Sequence, residues 1–162
     1  MAMDLDIDIS LKPSEIIYGC RAIMLDTVTQ GNCYLGSLNA RCVGISAQQS
    51  EDAPGAIGNN SFPFPLAIPT GNSLYPYAPG GQGPEVPVYG PGRKCLIDID
   101  PSFGGQIKPN DLIRSSNSGY GTLASPTGSF NQWIIGLALS FASSGQSCNV
   151  RVELFPWLPT GS

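Results

Sequence analysis

Apolar positions along this chain recur at every second residue, in short runs separated by turn-forming residues. Leu5, Ile7, Ile9 and Leu11 alternate with Asp4, Asp6, Asp8 and Ser10. That period of two gives one extended segment an apolar face and an acidic face. Residues 16–25 read as one or two strands, Gln30-Gly31-Asn32 as a turn, and residues 33–35 and 41–46 as two further short strands. Residues 96–100 form a strand halted by Pro101, and turns at 103–107 and 108–111 lead into a strand that starts at Leu112. Residues 117–121 reverse the chain before Thr122 and Leu123, and strands at 133–141 and 148–155 follow. In the last of these, Val150, Val152 and Leu154 alternate with Arg151 and Glu153. The best helical stretch, 136–144, is too short and too rich in glycine and β-branched neighbours to compete. Short strands at about ten-residue spacing, with a turn between each pair, predict an all-β fold: a single small β-barrel or β-sandwich.

Two strands share one irregularity. Arg41-Cys42-Val43-Gly44-Ile45-Ser46 and Trp133-Ile134-Ile135-Gly136-Leu137-Ala138 each carry a glycine inside an apolar run. Glycine weakens a strand, so its double use predicts a bulge, a barrel corner or a close backbone approach. Between residues 51 and 92 the pattern breaks, and nine of the fifteen prolines fall there. Proline removes backbone donors, so this stretch predicts a long Pro/Gly-rich loop outside the ladders except at their edges. It also carries Phe62, Phe64, Tyr75, Tyr77 and Tyr89, which predicts a loop ordered against its own barrel or another subunit rather than a disordered tract. One domain, 1–162, is therefore expected: an N-terminal arm (1–12), the loop (51–92), the most regular β part (93–155) and a tail (156–162). The arm reads either as an edge strand with a solvated acidic face or as a strand added to a neighbouring subunit's sheet. In the second case residues 1–12 would be removable without unfolding the protein.

Composition narrows the function. Charged residues are 12 % of the chain and the net charge is −4 with no basic cluster, which argues against nucleic acid. There is no apolar run long enough to span a membrane, and Met-Ala-Met-Asp-Leu-Asp does not read as a signal peptide. Five cysteines (Cys20, Cys33, Cys42, Cys95, Cys148), odd in number and without CxxC spacing, predict buried free thiols formed in a reducing compartment. The absence of histidine removes Ser-His-Asp and Cys-His catalysis and His-ligated metals. Asp4, Asp6, Asp8 and Glu15 have calcium-loop spacing, but Ile9 stands where that loop needs glycine. Gly80-Gly81-Gln82-Gly83 lacks the Lys-Ser/Thr of a phosphate loop. Asp98 and Asp100, with Asp111 across a turn, could pair as catalytic carboxylates, but they read as the solvated face of an edge strand. No enzyme, cofactor or metal is expected.

The C-terminal block has a further pattern: Gly92-Arg93-Lys94-Cys95-Leu96-Ile97-Asp98-Ile99, then Gly105-Gln106-Ile107-Lys108-Pro109-Asn110-Asp111-Leu112-Ile113, Gly119-Tyr120-Gly121, Ile134-Ile135-Gly136-Leu137-Ala138-Leu139, and Val150-Arg151-Val152. It resembles the small β proteins that decorate tailed-phage capsids. In that family a strand leads to a G-x-I-x-x-G-D-x-L turn, a glycine hairpin, an I-G-x-A-L strand and a closing V-x-V-x-L. Asn110 stands where the family has glycine, and asparagine tolerates left-handed backbone angles, so the turn is expected to persist.

The resemblance implies a cement or head-decoration protein on the outer capsid surface of the virion, made in the host cytoplasm. It implies two partners, the major capsid protein and the chain itself as a homotrimer, with neither nucleic acid nor membrane. Expected contact residues are Asp4, Leu5, Asp6, Ile7, Asp8 and Ile9 in the arm, Phe62, Phe64, Tyr75 and Tyr77 in the loop, and Phe155 and Trp157 near the tail. The tail either packs on a neighbour or folds back on its own barrel. The alternative is a carbohydrate- or receptor-binding β-sandwich of a phage tail or fibre, in which exposed aromatic rings stack on sugars.

Overall fold

A computed structural model describes residues 8–48, 76–80, 83–126 and 131–158. Among them the chain is built from twelve strands and one short 3-10 turn. Five strands close a barrel in the order β1 (Ile9–Pro13), β3 (Asn32–Leu35), β2 (Ala22–Leu25), β4 (Gly44–Ser46) and β5 (Val86–Tyr89). Its ladders are antiparallel except for β1 with β3. Leu11, Ile17, Ile23, Cys33, Tyr77, Val86 and Val88 fill the interior.

The second half forms a five-stranded sheet. Its order is β6 (Lys94–Asp98), β12 (Ser147–Trp157), β10 (Gln132–Ala138), β8 (Leu112–Ser115) and β9 (Gly121–Leu123). A bridge between Ile99 and Gly121 links the two outer strands, with the Asp100 N–H donating to Gly121 O at 3.0 Å. A small ribbon of β7 (Gln106–Ile107) and β11 (Ala142–Ser143) flanks it. The expected alternation is visible in β12, where Cys148, Val150 and Val152 are buried between Asn149, Arg151 and Glu153. One apolar cluster joins Ile97, Ile99, Ile113, Ile135, Val150 and Val152 of this half to Ala22, Cys42 and Ile45 of the barrel. Each fully buried isoleucine contributes about 2 kcal/mol, so this shared core binds the halves together.

The two strand glycines have different causes. A Cβ on Gly44 would strike the Tyr89 carbonyl oxygen and come within 2.7 Å of Val88 Cγ1, so β4 and β5 approach too closely for any side chain. At Gly136 the nearest atom would be Arg151 O at 3.3 Å. There the register shifts against both β12 and β8 between Ile134 and Gly136, the mark of a β-bulge. Ile134, Ile135 and Gly136 are accordingly buried in succession rather than alternately.

Three segment boundaries move. β1 begins within the expected arm: Ile9, Ser10 and Leu11 pair with Val88, Pro87 and Val86, and Leu11 is part of the core. Residues 9–12 therefore belong to the barrel and are not separable from it. The Pro/Gly-rich stretch contains β5, which lies between two partners rather than at an edge. Pro87 is tolerated because its carbonyl takes the Ala47 N–H (2.8 Å), and the side of Pro87 lacking a donor faces just past the end of β4. The start of the tail lies on the chain's own sheet, since β12 continues through Pro156 and Trp157 opposite Trp133 and Gln132.

All five cysteines are free. Desolvation raises the thiols of Cys20, Cys33, Cys42 and Cys95 to a pKa of about 12 and raises Cys148 as well, so they are protonated at neutral pH. The close approach at β4 sets a clear test. Gly44→Ala is expected to lower stability in urea unfolding by roughly 2–4 kcal/mol, while Gly136→Ala costs about 1 kcal/mol or less.

Candidate functional site

The polar centre of the molecule lies where barrel and sheet meet. Cys20 adopts a left-handed backbone (φ 60) just before β2, and the following Arg21 is 4 % exposed. Its Nε lies 3.5 Å from Oδ2 of Asp98, and its Nη1 donates to Ser118 O at 3.0 Å. The guanidinium packs over the rings of Tyr120 (3.6 Å to the centroid) and Tyr18 (5.3 Å). Asp98, 5 % exposed at the end of β6, accepts the Ser147 hydroxyl at 2.8 Å on Oδ1 and donates its own N–H to Cys20 O at 2.8 Å. Ser46 holds the approach: its hydroxyl accepts the Arg21 N–H (3.1 Å) and donates to Tyr18 O (2.7 Å). The sequence signal for this site was an arginine within the apolar run Gly19-Cys20-Arg21-Ala22-Ile23-Met24-Leu25.

These contacts correct the reading of Asp98 as a solvated carboxylate, for it is buried against a cation. They also separate it from its supposed partners. Asp100 accepts the N–H and hydroxyl of Ser102 on Oδ1 (2.8 and 2.7 Å) and the Ser116 hydroxyl on Oδ2. Partial burial raises its pKa, but those hydrogen bonds outweigh it and hold the carboxyl below its usual range. Asp111 takes the Lys108 N–H at 2.7 Å and closes a turn. Each carboxylate is thus committed to a separate structural contact. Asp26 behaves likewise: the N–H groups of Val28 and Thr29 lower its pKa, and it fixes the tip of the β2–β3 hairpin.

Five of the twelve expected contact residues are described: Asp8, Ile9, Tyr77, Phe155 and Trp157. Asp4, Leu5, Asp6, Ile7, Phe62, Phe64 and Tyr75 lie outside the described residues. Asp8 is exposed, with Oδ2 3.4 Å from Nη2 of Arg93. Ile9 is half-buried opposite Val88. Tyr77 is 3 % exposed: it bridges to Ile17, its hydroxyl donates to Ala47 O at 2.8 Å, and it is a core residue rather than a surface anchor. Phe155 and Trp157 are half-buried on β12, opposite Ile134 and Gln132. Trp133 donates its indole N–H to Cys42 O at 3.0 Å, and Arg41 covers its ring at 4.9 Å.

The surface instead shows an apolar end that pattern reading placed within a strand. Beyond β10, Leu139 and Phe141 are 39 % and 62 % exposed. They adjoin the 108–111 turn, where the Asn110 N–H donates to Ala138 O and the Ala138 N–H to Asp111 O, both at 2.8 Å. Asn110 has φ 74, the left-handed angle expected of it. Among the described residues there is no cluster of three metal-ligating side chains, and no helix is long and apolar enough to cross a membrane.

No protein-family model matches the chain, and no curated protein matches it in sequence. Among solved structures it is similar to the head fiber gp8.5 N base of bacteriophage phi29, with a TM-score of 0.49 and 12 % identity over 92 % of this chain and 95 % of that one. A likeness of that size identifies a neighbour, not a family.

Two measurements follow from the polar contacts. Arg21→Met leaves Asp98 buried without its cation and is expected to cost about 3–5 kcal/mol in urea unfolding. Adding Asp98→Leu should recover part of that loss, a non-additivity that a double-mutant cycle reads directly. Asp26 and Asp100 have folded pKa values below the unfolded ones, so their contribution is present above about pH 4 and lost as pH falls through the lower folded values. Stability against pH in Asp26→Asn/Asp100→Asn should therefore show a shallower acid limb than the unsubstituted protein.

Proposed function

We propose that this chain is a tailed-phage structural protein that attaches to the outer surface of the head in the virion and braces it by bridging capsid subunits. Its partners are the major capsid protein and two further copies of itself, and it works without a catalytic step or cofactor. The observation that carries the reading is the 108–111 turn. The residues resembling the decoration family lie on one five-stranded sheet and its flanking ribbon, and Asn110 takes the left-handed angle that glycine supplies in the family pattern. The exposed pair Leu139 and Phe141 sits at the same end of the sheet and supports contact there. A brace of this kind acts through many modest contacts multiplied by symmetry. Sugar stacking on Trp133 is disfavoured, because its N–H is engaged and Arg41 lies over its ring.

Co-sedimentation with expanded phage heads tests the reading. The protein should pellet with heads, and Leu139→Asp/Phe141→Asp should weaken binding by about tenfold or more while leaving the fold intact. Sizing should show a trimer. Glycan binding without head binding, or an obligate monomer, would overturn it.

A further inference from the structure

The five-stranded sheet turns one face to the barrel and the other away from it. Ile113, Val150 and Val152 lie in the core shared with Ala22, Cys42 and Ile45 of the barrel. Residues alternating with them point the opposite way. On that outer face Lys94, Arg151, Leu137 and Leu112 stand opposite one another in a row across β6, β12, β10 and β8. Phe155, Ile134, Arg114 and Thr122 form a second row across β12, β10, β8 and β9. Leu112, Leu137 and Phe155 are half-buried, so part of their apolar surface is left in water. Lys94, Arg114 and Arg151 stand among them against one carboxylate, Glu153, which accepts the Arg151 Nε–H at 2.9 Å.

The barrel carries the complement. Ser14 donates its hydroxyl to Asp26 Oδ2 at 3.0 Å and so ties residues 14–16 to the β2–β3 hairpin. Ile16, Leu25 and Val28 are 45 %, 47 % and 92 % exposed there, and Glu15 and Asp26 adjoin them in the chain. Charge divides the same way: residues 1–92 hold three Lys and Arg against eight Asp and Glu, and residues 93–162 hold five against four. The two surfaces cannot meet within one molecule, because the barrel already packs on the sheet's inner face. We propose that the outer face of the sheet docks a second copy of this chain by the barrel rim that bears Ile16 and Val28. Apolar side chains meet apolar side chains, and Lys94, Arg114 and Arg151 face Glu15 and Asp26. The contact joins two different surfaces, so three copies close a ring in which every face is filled. That ring is the trimer proposed above, and the contact rests on that reading.

Sedimentation velocity on the full chain and two full-length variants tests the contact. Lys94→Glu/Arg151→Glu reverses charge on the sheet face, and Ile16→Lys/Val28→Lys places cations at exposed positions on the rim. The unsubstituted chain should be a trimer, and each variant should associate about tenfold more weakly or worse. An equal mixture of the two variants should form a one-to-one dimer, since one retains the rim and the other the sheet face. That dimer also shows that both variants are folded. Should the sheet variant fail to fold in urea titration, the rim variant alone decides. Either variant remaining as trimeric as the unsubstituted chain would sink the contact and leave the trimer and head binding standing. A mixture of folded variants that stays monomeric would do the same. A monomeric unsubstituted chain would remove the reading beneath the contact as well.

Discussion

The contact between Arg21 and Asp98 constrains the rest of the molecule. Two buried charges are costly to remove from water, and their mutual attraction compensates only when geometry satisfies their other groups. Here the remaining groups come from both halves: Ser118, Tyr120 and Ser147 from the sheet side, Tyr18 and the Cys20 carbonyl from the barrel. Neither half can rotate against the other without stranding a charge. The apolar core supplies most of the stabilisation, while the ion pair fixes the one arrangement in which the two sheets meet.

That arrangement explains why small residues and backbone contacts line the seam. The Gly119 N–H donates to Gly36 O at 2.6 Å, and the Asn39 N–H to Ser115 O at 2.9 Å. The Asn39 side chain accepts the Trp133 N–H and donates to Asn131 O. Main chain meets main chain at these points, so the halves are joined by directional bonds as well as by area.

Much of the architecture was legible because β structure writes itself in a period of two. The strands of the second sheet lie near where alternation and turn residues put them, and Asn110 adopts its expected backbone. What was hidden depended on contacts distant in sequence. Nothing local to Val86-Pro87-Val88-Tyr89 shows that a proline-bearing segment completes a barrel, because the tolerance of Pro87 depends on where β4 ends. Asp98 looked solvated because alternation reports a face and not what covers it; Arg21, which covers it, is far away in the chain. Tyr77 looked like an anchor because aromatic residues in proline-rich stretches give no sign of which ones turn inward. The two glycines shared a sequence context and had unrelated causes, which only the neighbouring strands could distinguish.

The placement of β5 has a consequence for how the chain folds. Four barrel strands are made early, but the strand that seals them arrives only after the long stretch between Ser46 and Val86. Closing a loop of that length carries an entropic cost before any contact rewards it, and such non-local pairings form slowly. The sheet built from residues 94–157 has several short connections and can assemble sooner. Strands β1 to β4 are therefore completed as a barrel only when β5 docks. Until then the barrel interior, from Leu11 to Cys33, lacks the cover that Val86 and Val88 supply.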